Sequence, residues 1–179
     1  RHDLLSSHYR SYPESIESLV DTSVQYTGNH KLTDRVYQDI TLGKLILSPT
    51  MSYTPVLKKI FNQVDRPNIH SIVHCTGGGA TKVLHFVDKV KIIKDNYLPI
   101  PFLFNFIQEQ SQTDWKEMFQ VFNMGTRLEI YLEDETVAQE IIAISQSFGV
   151  DAQIIGYVDS SEKAEVEVKH NQISYHYFA

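Results

Sequence analysis

A segment rich in β-branched residues, Ile69 to Cys75, runs almost directly into three consecutive glycines, Gly77 to Gly79. Its composition and loose alternation predict a strand, and the apolar spacing that follows predicts a helix over residues 80–87. Glycines allow positive φ angles and a close approach of the backbone to a neighbour. The sequence therefore predicts a tight strand-to-helix turn at the end of this strand.

Helices and strands alternate along most of the chain, and strands dominate its end. Leu128, Ile130 and Leu132 alternate with polar residues, as in a strand with one apolar face. The pattern predicts an α+β fold, a mixed β-sheet flanked by helices, in a single domain over residues 1–179. The predicted helices are 3–18 with an interruption near Pro13, 53–64, 80–87, 101–107, one that begins at 113, and 135–148. The predicted strands are 69–75, 90–93, 125–132, 152–158, 164–168 and 173–177. Residues 32–40 fit a short strand or a loop.

The core is expected on the strands around Ile72, Ile92, Ile130 and Ile155. The helix after Asp134 should pack against this sheet, with Ile142 on its buried face. Asp134 has the residue type of an N-cap, so the acidic run 133–135 is interpreted as a solvated helix start rather than a metal site.

Composition limits the classes of partner. The net charge of −6 provides no basic excess for a nucleic-acid face, and no apolar run approaches the length of a membrane span. We therefore predict neither a nucleic-acid partner nor a membrane. Cys75 is the single cysteine, so no internal disulfide forms and a reducing compartment is the simpler interpretation. No His, Asp or Glu group has metal-ligand spacing, and no metal site is predicted.

Two interpretations of the glycine turn stay open on the residues alone. The start of the following helix would offer free N–H groups to a phosphate or another anion, or the turn would be structural and hold no ligand. Its spacing matches neither the dinucleotide fingerprint nor the Walker motif. The Asn123-Met124-Gly125 segment is typical of a turn, because Asn and Gly tolerate unusual backbone angles.

Three segments together resemble one known family. They are ILSPTMSY at residues 46–53, IHSIVHCTGGG at residues 69–79 and EMFQVFNMG at residues 117–125. Phosphoribosylformylglycinamidine cyclo-ligases, also called aminoimidazole ribonucleotide synthetases, carry L-x-P-T-x-x-Y, a strand that ends H-x-T-G-G-G, and E-M-x-R-T-F-N-M-G, in this order. The chain resembles the C-terminal domain of this family, with the motifs in roughly residues 45–132.

The resemblance implies an enzyme whose N-terminal ATP-binding domain lies outside this chain. The family closes the imidazole ring of aminoimidazole ribonucleotide from formylglycinamidine ribonucleotide, an ATP-dependent ligase step of de novo purine biosynthesis. It also implies ATP and Mg²⁺ as cofactors held mainly by the N-terminal domain, a small nucleotide substrate, a homodimer at full length and a cytoplasmic location. We expect this chain alone to be folded but inactive.

The resemblance also selects the candidate site residues. His74 matches the family's strand-end histidine and is the candidate catalytic residue, since a histidine can donate to an amide oxygen or move a proton near neutral pH. The alternative is a structural histidine at a strand end. Adjacent strand residues point to opposite faces, so Cys75 is interpreted as a buried apolar residue and not as a partner of His74. The candidate substrate-binding residues are Thr76, Gly77, Gly78, Gly79 and Asn123.

Two departures from the family pattern leave other functions open. Met51 stands where the family often has a basic residue, and Gln120-Val121 stands where it usually has Arg-Thr. The alternatives are a non-catalytic relative that binds a nucleotide or a partner, and a sister ATP-dependent kinase or synthase with the same two-domain plan.

Overall fold

The structure is a computed structural model that describes residues 4–5, 28–48 and 51–179. In chain order its elements are β1 (Arg35–Tyr37), β2 (Ile40–Thr41), α1 (Leu42–Ile46), α2 (Thr54–Gln63), β3 (Ile69–His74), β4 (Val90–Lys94), α3 (Phe102–Ser111), α4 (Trp115–Val121), β5 (Leu128–Leu132), α5 (Glu135–Ser147), β6 (Gly156–Ser160), β7 (Glu165–His170) and β8 (Ile173–Phe178), with 3₁₀ helices at Arg66–Asn68 and Gly79–His85. None of the helices in these ranges is long and apolar enough to cross a lipid bilayer.

The chain divides into two compact units, and the first comprises residues 1–50 and 101–115. In its described part, β1 pairs antiparallel with β2, so the segment 32–40 contains a short strand. Leu4, Leu5, Leu42 and Phe106 form its buried cluster. Of the helix predicted for residues 3–18, all but residues 4 and 5 lies outside the described ranges.

The second unit comprises residues 51–100 and 116–179 and contains two sheets. In one, β3 pairs antiparallel with β5. The other has the order β6-β4-β7-β8, where β4 runs parallel to β7 and antiparallel to β6. Sheets with mixed pairing and flanking helices confirm the α+β prediction. That residues 1–179 act as one domain stays a prediction.

Helices α2 and α5 cover one face of the β3–β5 sheet. Asp134 caps α5 by accepting a hydrogen bond from Val137 N at 3.0 Å, as the sequence predicted. The prediction for Ile142 was wrong in one respect: this residue is half-buried, and the buried face of α5 is carried by its neighbours. The buried cluster between these helices and the sheet consists of Val56, Ile60, Val64, Ile69, Val137, Ile141 and Ile144.

Two predicted elements differ in the structure. The helix expected over residues 80–87 is the 3₁₀ helix Gly79–His85. The strand expected over 152–158 begins only at Gly156, because Ile155 O accepts hydrogen bonds from Asp95 N and Asn96 N, both at 3.1 Å. Residues 153–155 are therefore bonded to the segment that follows β4 instead of extending the ladder.

Candidate functional site

The glycine turn, residues Gly77–Gly79, follows the end of β3 and has three consecutive positive φ angles. These are 60° at Gly77, 90° at Gly78 and 45° at Gly79. Residues with a Cβ rarely adopt this region, which explains the run of three glycines. A Cβ on Gly77 would meet no atom within 4 Å, so the backbone of the turn is open to an approaching group there.

The turn packs against the C-terminal end of α4. A Cβ on Gly79 would lie 2.3 Å from Phe122 O and 2.5 Å from Phe119 O, so only glycine fits. On the exit side, Thr81 Oγ1 donates to Gly78 O at 2.8 Å. The second and third sequence motifs therefore meet in the structure. The carbonyl that Gly79 contacts belongs to Phe122, and Asn123 is the next residue in the chain.

His74 and Thr76 lie at the entrance of the turn, and both are exposed. His74 Nδ1 lies 3.4 Å from Thr76 Oγ1, so the two side chains share one side of the chain. Cys75 between them is only 2% exposed, and its thiol donates to Val73 O at 3.8 Å. Burial, followed by the charge of Glu129, raises the pKa of the Cys75 thiol to about 12. A thiol of this kind is not a nucleophile at neutral pH.

Asn123 is half-buried and forms part of its own turn. Its Oδ1 accepts a hydrogen bond from Gly125 N at 3.0 Å, and its carbonyl accepts one from Thr126 N at 2.9 Å. The first bond engages one lone pair of the Asn123 side-chain oxygen, and the side chain can still contact a ligand through its amide nitrogen.

The helix that begins at the glycine turn differs from the expected one, while anion binding there stays a prediction. The element after the glycines is a 3₁₀ helix of 7 residues, and Thr81 N already donates to Gly78 O at 2.9 Å. The helix start therefore offers fewer donors and a weaker dipole than an α-helix would. Sequence reasoning missed Lys82, whose side chain passes 3.6 Å from the position of a Cβ on Gly78. A lysine one helical turn after a glycine run is a signal that could have identified it.

A second feature that sequence reasoning missed is a buried polar cluster behind the turn. Lys94 and Glu129 are 1% and 5% exposed, and Lys94 Nζ lies 2.5 Å from Glu129 Oε1. Tyr131 donates its hydroxyl proton to Glu129 Oε2 at 2.7 Å. Burial, with Glu129 next in size, raises the pKa values of Tyr131 and of nearby Tyr97. Both phenols are therefore neutral at physiological pH.

A cavity of about 450 Å³ lies between β5, α5 and residues 150–158. Its lining does not include residues 74–79, so it is separate from the glycine turn. It does include Tyr53 of the first motif and Gly125 of the third, together with Leu128, which pairs with His74 in the ladder. One end of the cavity therefore adjoins the strand end that carries His74.

Comparison with known proteins identifies the family. The family model described as AIR synthase related protein, C-terminal domain, matches residues 11–169. The chain belongs to this family. The likeness to cyclo-ligases seen in the sequence motifs is therefore confirmed at the level of the family.

Curated relatives of this AIR synthase family member include two phosphoribosylformylglycinamidine cyclo-ligases. The protein from Caldicellulosiruptor bescii is 30% identical over 161 residues, which cover 83% of this chain and 44% of the relative. The protein from Methanocaldococcus jannaschii is 33% identical over 144 residues, which cover 79% of this chain and 39% of the relative. The chain thus spans less than half the length of these relatives.

Among solved structures, E. coli HypE, a hydrogenase maturation protein, matches with a TM-score of 0.50 at 22% identity, over 75% of this chain and 43% of HypE. A HypE-HypF complex matches with the same TM-score at 18% identity, over 78% of this chain and 47% of that chain. These likenesses concern the fold alone.

The Mg²⁺ implied by the cyclo-ligase resemblance does not fit the described part of this AIR synthase domain. There, Glu165, Glu167 and His176 place one ligand atom each within 4.8 Å of one another. Lys91 Nζ already lies 2.7 Å from Glu167 and 3.4 Å from Glu165, so an ammonium group already pairs with both carboxylates. Mg²⁺ also prefers oxygen ligands to imidazole. We assign no metal ligand to these residues.

Proposed function

We propose that this chain is the C-terminal part of a phosphoribosylformylglycinamidine cyclo-ligase, which closes the imidazole ring of aminoimidazole ribonucleotide at the expense of ATP. The curated relatives support the reaction class. The observation that carries the proposal is the exposed pair of His74 and Thr76, 3.4 Å apart, at the entrance of a glycine turn that is open at Gly77.

In this proposal His74 is the catalytic residue and acts on the formyl oxygen of the substrate. ATP, when bound, supplies the phosphoryl group that turns this oxygen into a leaving group. His74 would orient the oxygen by a hydrogen bond and move a proton as the ring nitrogen attacks and phosphate leaves. Phosphoryl transfer depends mainly on positioning and charge neutralisation, which suits a rigid turn of backbone groups.

Substrate binding is proposed for Thr76, for the three glycines and for Asn123. Thr76 is exposed beside His74, and Gly77 offers open backbone. Lys82 lies next to Gly78, so it would place a positive charge close to a substrate phosphate bound at the turn. It would partly compensate for the uncharged Met51 and Gln120.

The proposed cofactors and partners follow from the cyclo-ligase relatives. ATP and Mg²⁺ would be held mainly by an N-terminal domain of the same protein, which would assemble as a homodimer in the cytoplasm. This chain by itself should then show no ATP-dependent ring closure. Turnover by the isolated 179-residue chain would contradict this division of labour.

Two matched histidine variants test the role of His74 in a protein that carries the ATP-binding domain ahead of this chain. We expect His74→Ala to lower kcat more than it raises KM, because the residue would act on the reacting oxygen. His70→Ala is the control, since His70 is an exposed residue of the same strand that pairs with Glu133 at 2.8 Å. Equal activity of the two variants would overturn the assignment of His74.

A second candidate is a non-catalytic relative that binds a nucleotide or a partner. The uncharged Met51 and Gln120 favour it, because the family usually places basic residues there. Calorimetry and turnover with ATP distinguish the two: binding of ATP by the longer protein with neither ring closure nor consumption of ATP supports the non-catalytic relative, and ring closure excludes it.

A further inference from the structure

The ion pair between Lys94 and Glu129 is directly connected to the glycine turn. Besides Glu129, Lys94 Nζ donates to Ala80 O at 2.7 Å, and Ala80 is the residue that follows Gly79. Glu129 is in turn fixed by the hydroxyl of Tyr131. A continuous chain of hydrogen bonds therefore runs from β5 through the end of β4 to the exit of the turn.

The entrance of the turn is held by the same strand region. Cys75 N donates to Arg127 O at 2.9 Å, just ahead of β5. Arg127 thus fixes the entrance of the turn through its backbone carbonyl. Glu129 fixes the exit through Lys94. The buried ammonium therefore joins the exit of the turn to the strand that also holds its entrance.

Stability alone does not explain a charge pair at this depth. A buried ion pair is often no more stabilising than apolar side chains of the same volume, because both charges lose their hydration. Its hydrogen bonds are directional, however, and they fix the atoms that they join. Three successive glycines are the most flexible segment that a chain can contain, so their conformation must be set by such outside contacts.

We propose that Lys94, held by Glu129, is a positioning residue that fixes the backbone of the glycine turn in its open conformation. It acts through the Ala80 carbonyl, to which it donates a hydrogen bond. Its importance for activity rests on the proposed function of the turn, but the positioning itself is a property of the chain without ligand.

Amide hydrogen exchange measured by NMR tests the proposal. The variants are Lys94→Met and the double variant Lys94→Met/Glu129→Met, in which no buried charge loses its partner. We expect exchange of the Cys75 and Thr81 amides, which donate to Arg127 O and Gly78 O at the two ends of the turn, to become at least about tenfold faster in both, while the amides of α5 and β8 keep their rates. Lys91→Met is the matched control, because Lys91 lies on the same strand but pairs with Glu167 instead.

Two results would overturn the inference. One is an unchanged rate at the Cys75 and Thr81 amides in the folded double variant. The other is a uniform increase over the whole second unit, which would indicate a merely structural role. Because no ligand is present, failure of the proposed function would leave this result intact.

A measurement on the wild-type chain covers the case in which neither variant folds. The side-chain ammonium of Lys94 should give a slowly exchanging ¹⁵N signal with couplings across hydrogen bonds to the carbonyl carbon of Ala80 and the carboxyl carbon of Glu129. An ammonium in fast exchange with water, without these couplings, would refute the positioning role.

Discussion

Gly79 lies so close to Phe122 that a methyl group on its Cα would sit 2.3 Å from the Phe122 carbonyl oxygen. Gly79→Ala combines this clash with a strained positive φ and should lower the free energy of unfolding by more than about 3 kcal/mol. Gly77→Ala is the matched control, since it adds a methyl group in open space and should cost about 1 kcal/mol through backbone strain alone. Urea denaturation of both variants provides the comparison, and equal losses would contradict the close packing of Gly79.

The glycine to use for blocking the turn follows from the same geometry. Gly78→Val is a poor choice, because φ at Gly78 is 90°, which a β-branched residue does not tolerate. Gly77→Asn is the better variant, because Asn adopts a φ near 60° readily and its side chain would fill the open space. We expect this variant to keep its melting temperature while the longer protein loses ring closure. Full activity would show that substrate does not approach Gly77.

Cys75 should be unreactive in the folded chain. Its thiol is buried and its pKa is raised to about 12, so almost no thiolate forms at pH 8. Since the chain has one cysteine, a colour reagent for thiols reports on this residue alone. The reaction should be at least about a hundredfold slower in buffer than in concentrated urea. A comparable rate in both would show that Cys75 is accessible.

Acid should destabilise the chain in part through Glu167. The hydrogen bond from Lys91 holds the pKa of this carboxyl below its ordinary value of 4.5. The unfolded chain then takes up the proton first, so stability is complete above the ordinary pKa and is lost as the pH falls through the folded one. Lys91→Met removes this partner, and its unfolding free energy should fall less than that of the wild type between about pH 6 and pH 3.

Lys59→Met serves as the control for the acid prediction, because Lys59 is exposed on α2. Its pH profile should follow that of the wild type. A Lys91→Met profile that also follows the wild type would mean that Lys91 does not hold Glu167 ionised.

Two adjacent isoleucines define the buried face of α5. Ile141 is 6% exposed and belongs to the cluster with α2, whereas Ile142 is half-buried. Ile141→Ala should cost about 2–4 kcal/mol, because it leaves a cavity between the two helices. Ile142→Ala should cost less than about 1.5 kcal/mol, since water can reach the space that it leaves. Chemical denaturation measures both, and the reverse order would mean that the helix face is misplaced.

Local pattern predicted those elements whose stability is decided within a few residues. The cap at Asp134 and the strand before the glycines depend on neighbours in the chain, and both are confirmed. The start of β6 could not be predicted from local pattern. The Ile155 carbonyl accepts hydrogen bonds from the backbone amides of Asp95 and Asn96, and these residues are distant in sequence.

The candidate site likewise combines features that local motifs predicted with one that depends on contacts between distant segments. Motifs identified the glycine turn and the segment around Asn123, and their meeting is visible in the contact of Gly79 with Phe122. The residues of β5 alternate as in a strand with one apolar face, yet Glu129 on its polar face lies buried against Lys94. Only the packing of two sheets against each other makes that pairing, and no local periodicity encodes it.

The position of β4 in its sheet determines when this unit can fold. β4 is an interior strand, and both of its neighbours, β6 and β7, are made much later in the chain. A ribosome that has released residues up to 150 has produced β4 with two open edges, which puts this unit among slow, high-contact-order folds. A chain that stops before Gly156 keeps those edges unpaired and offers a template for aggregation.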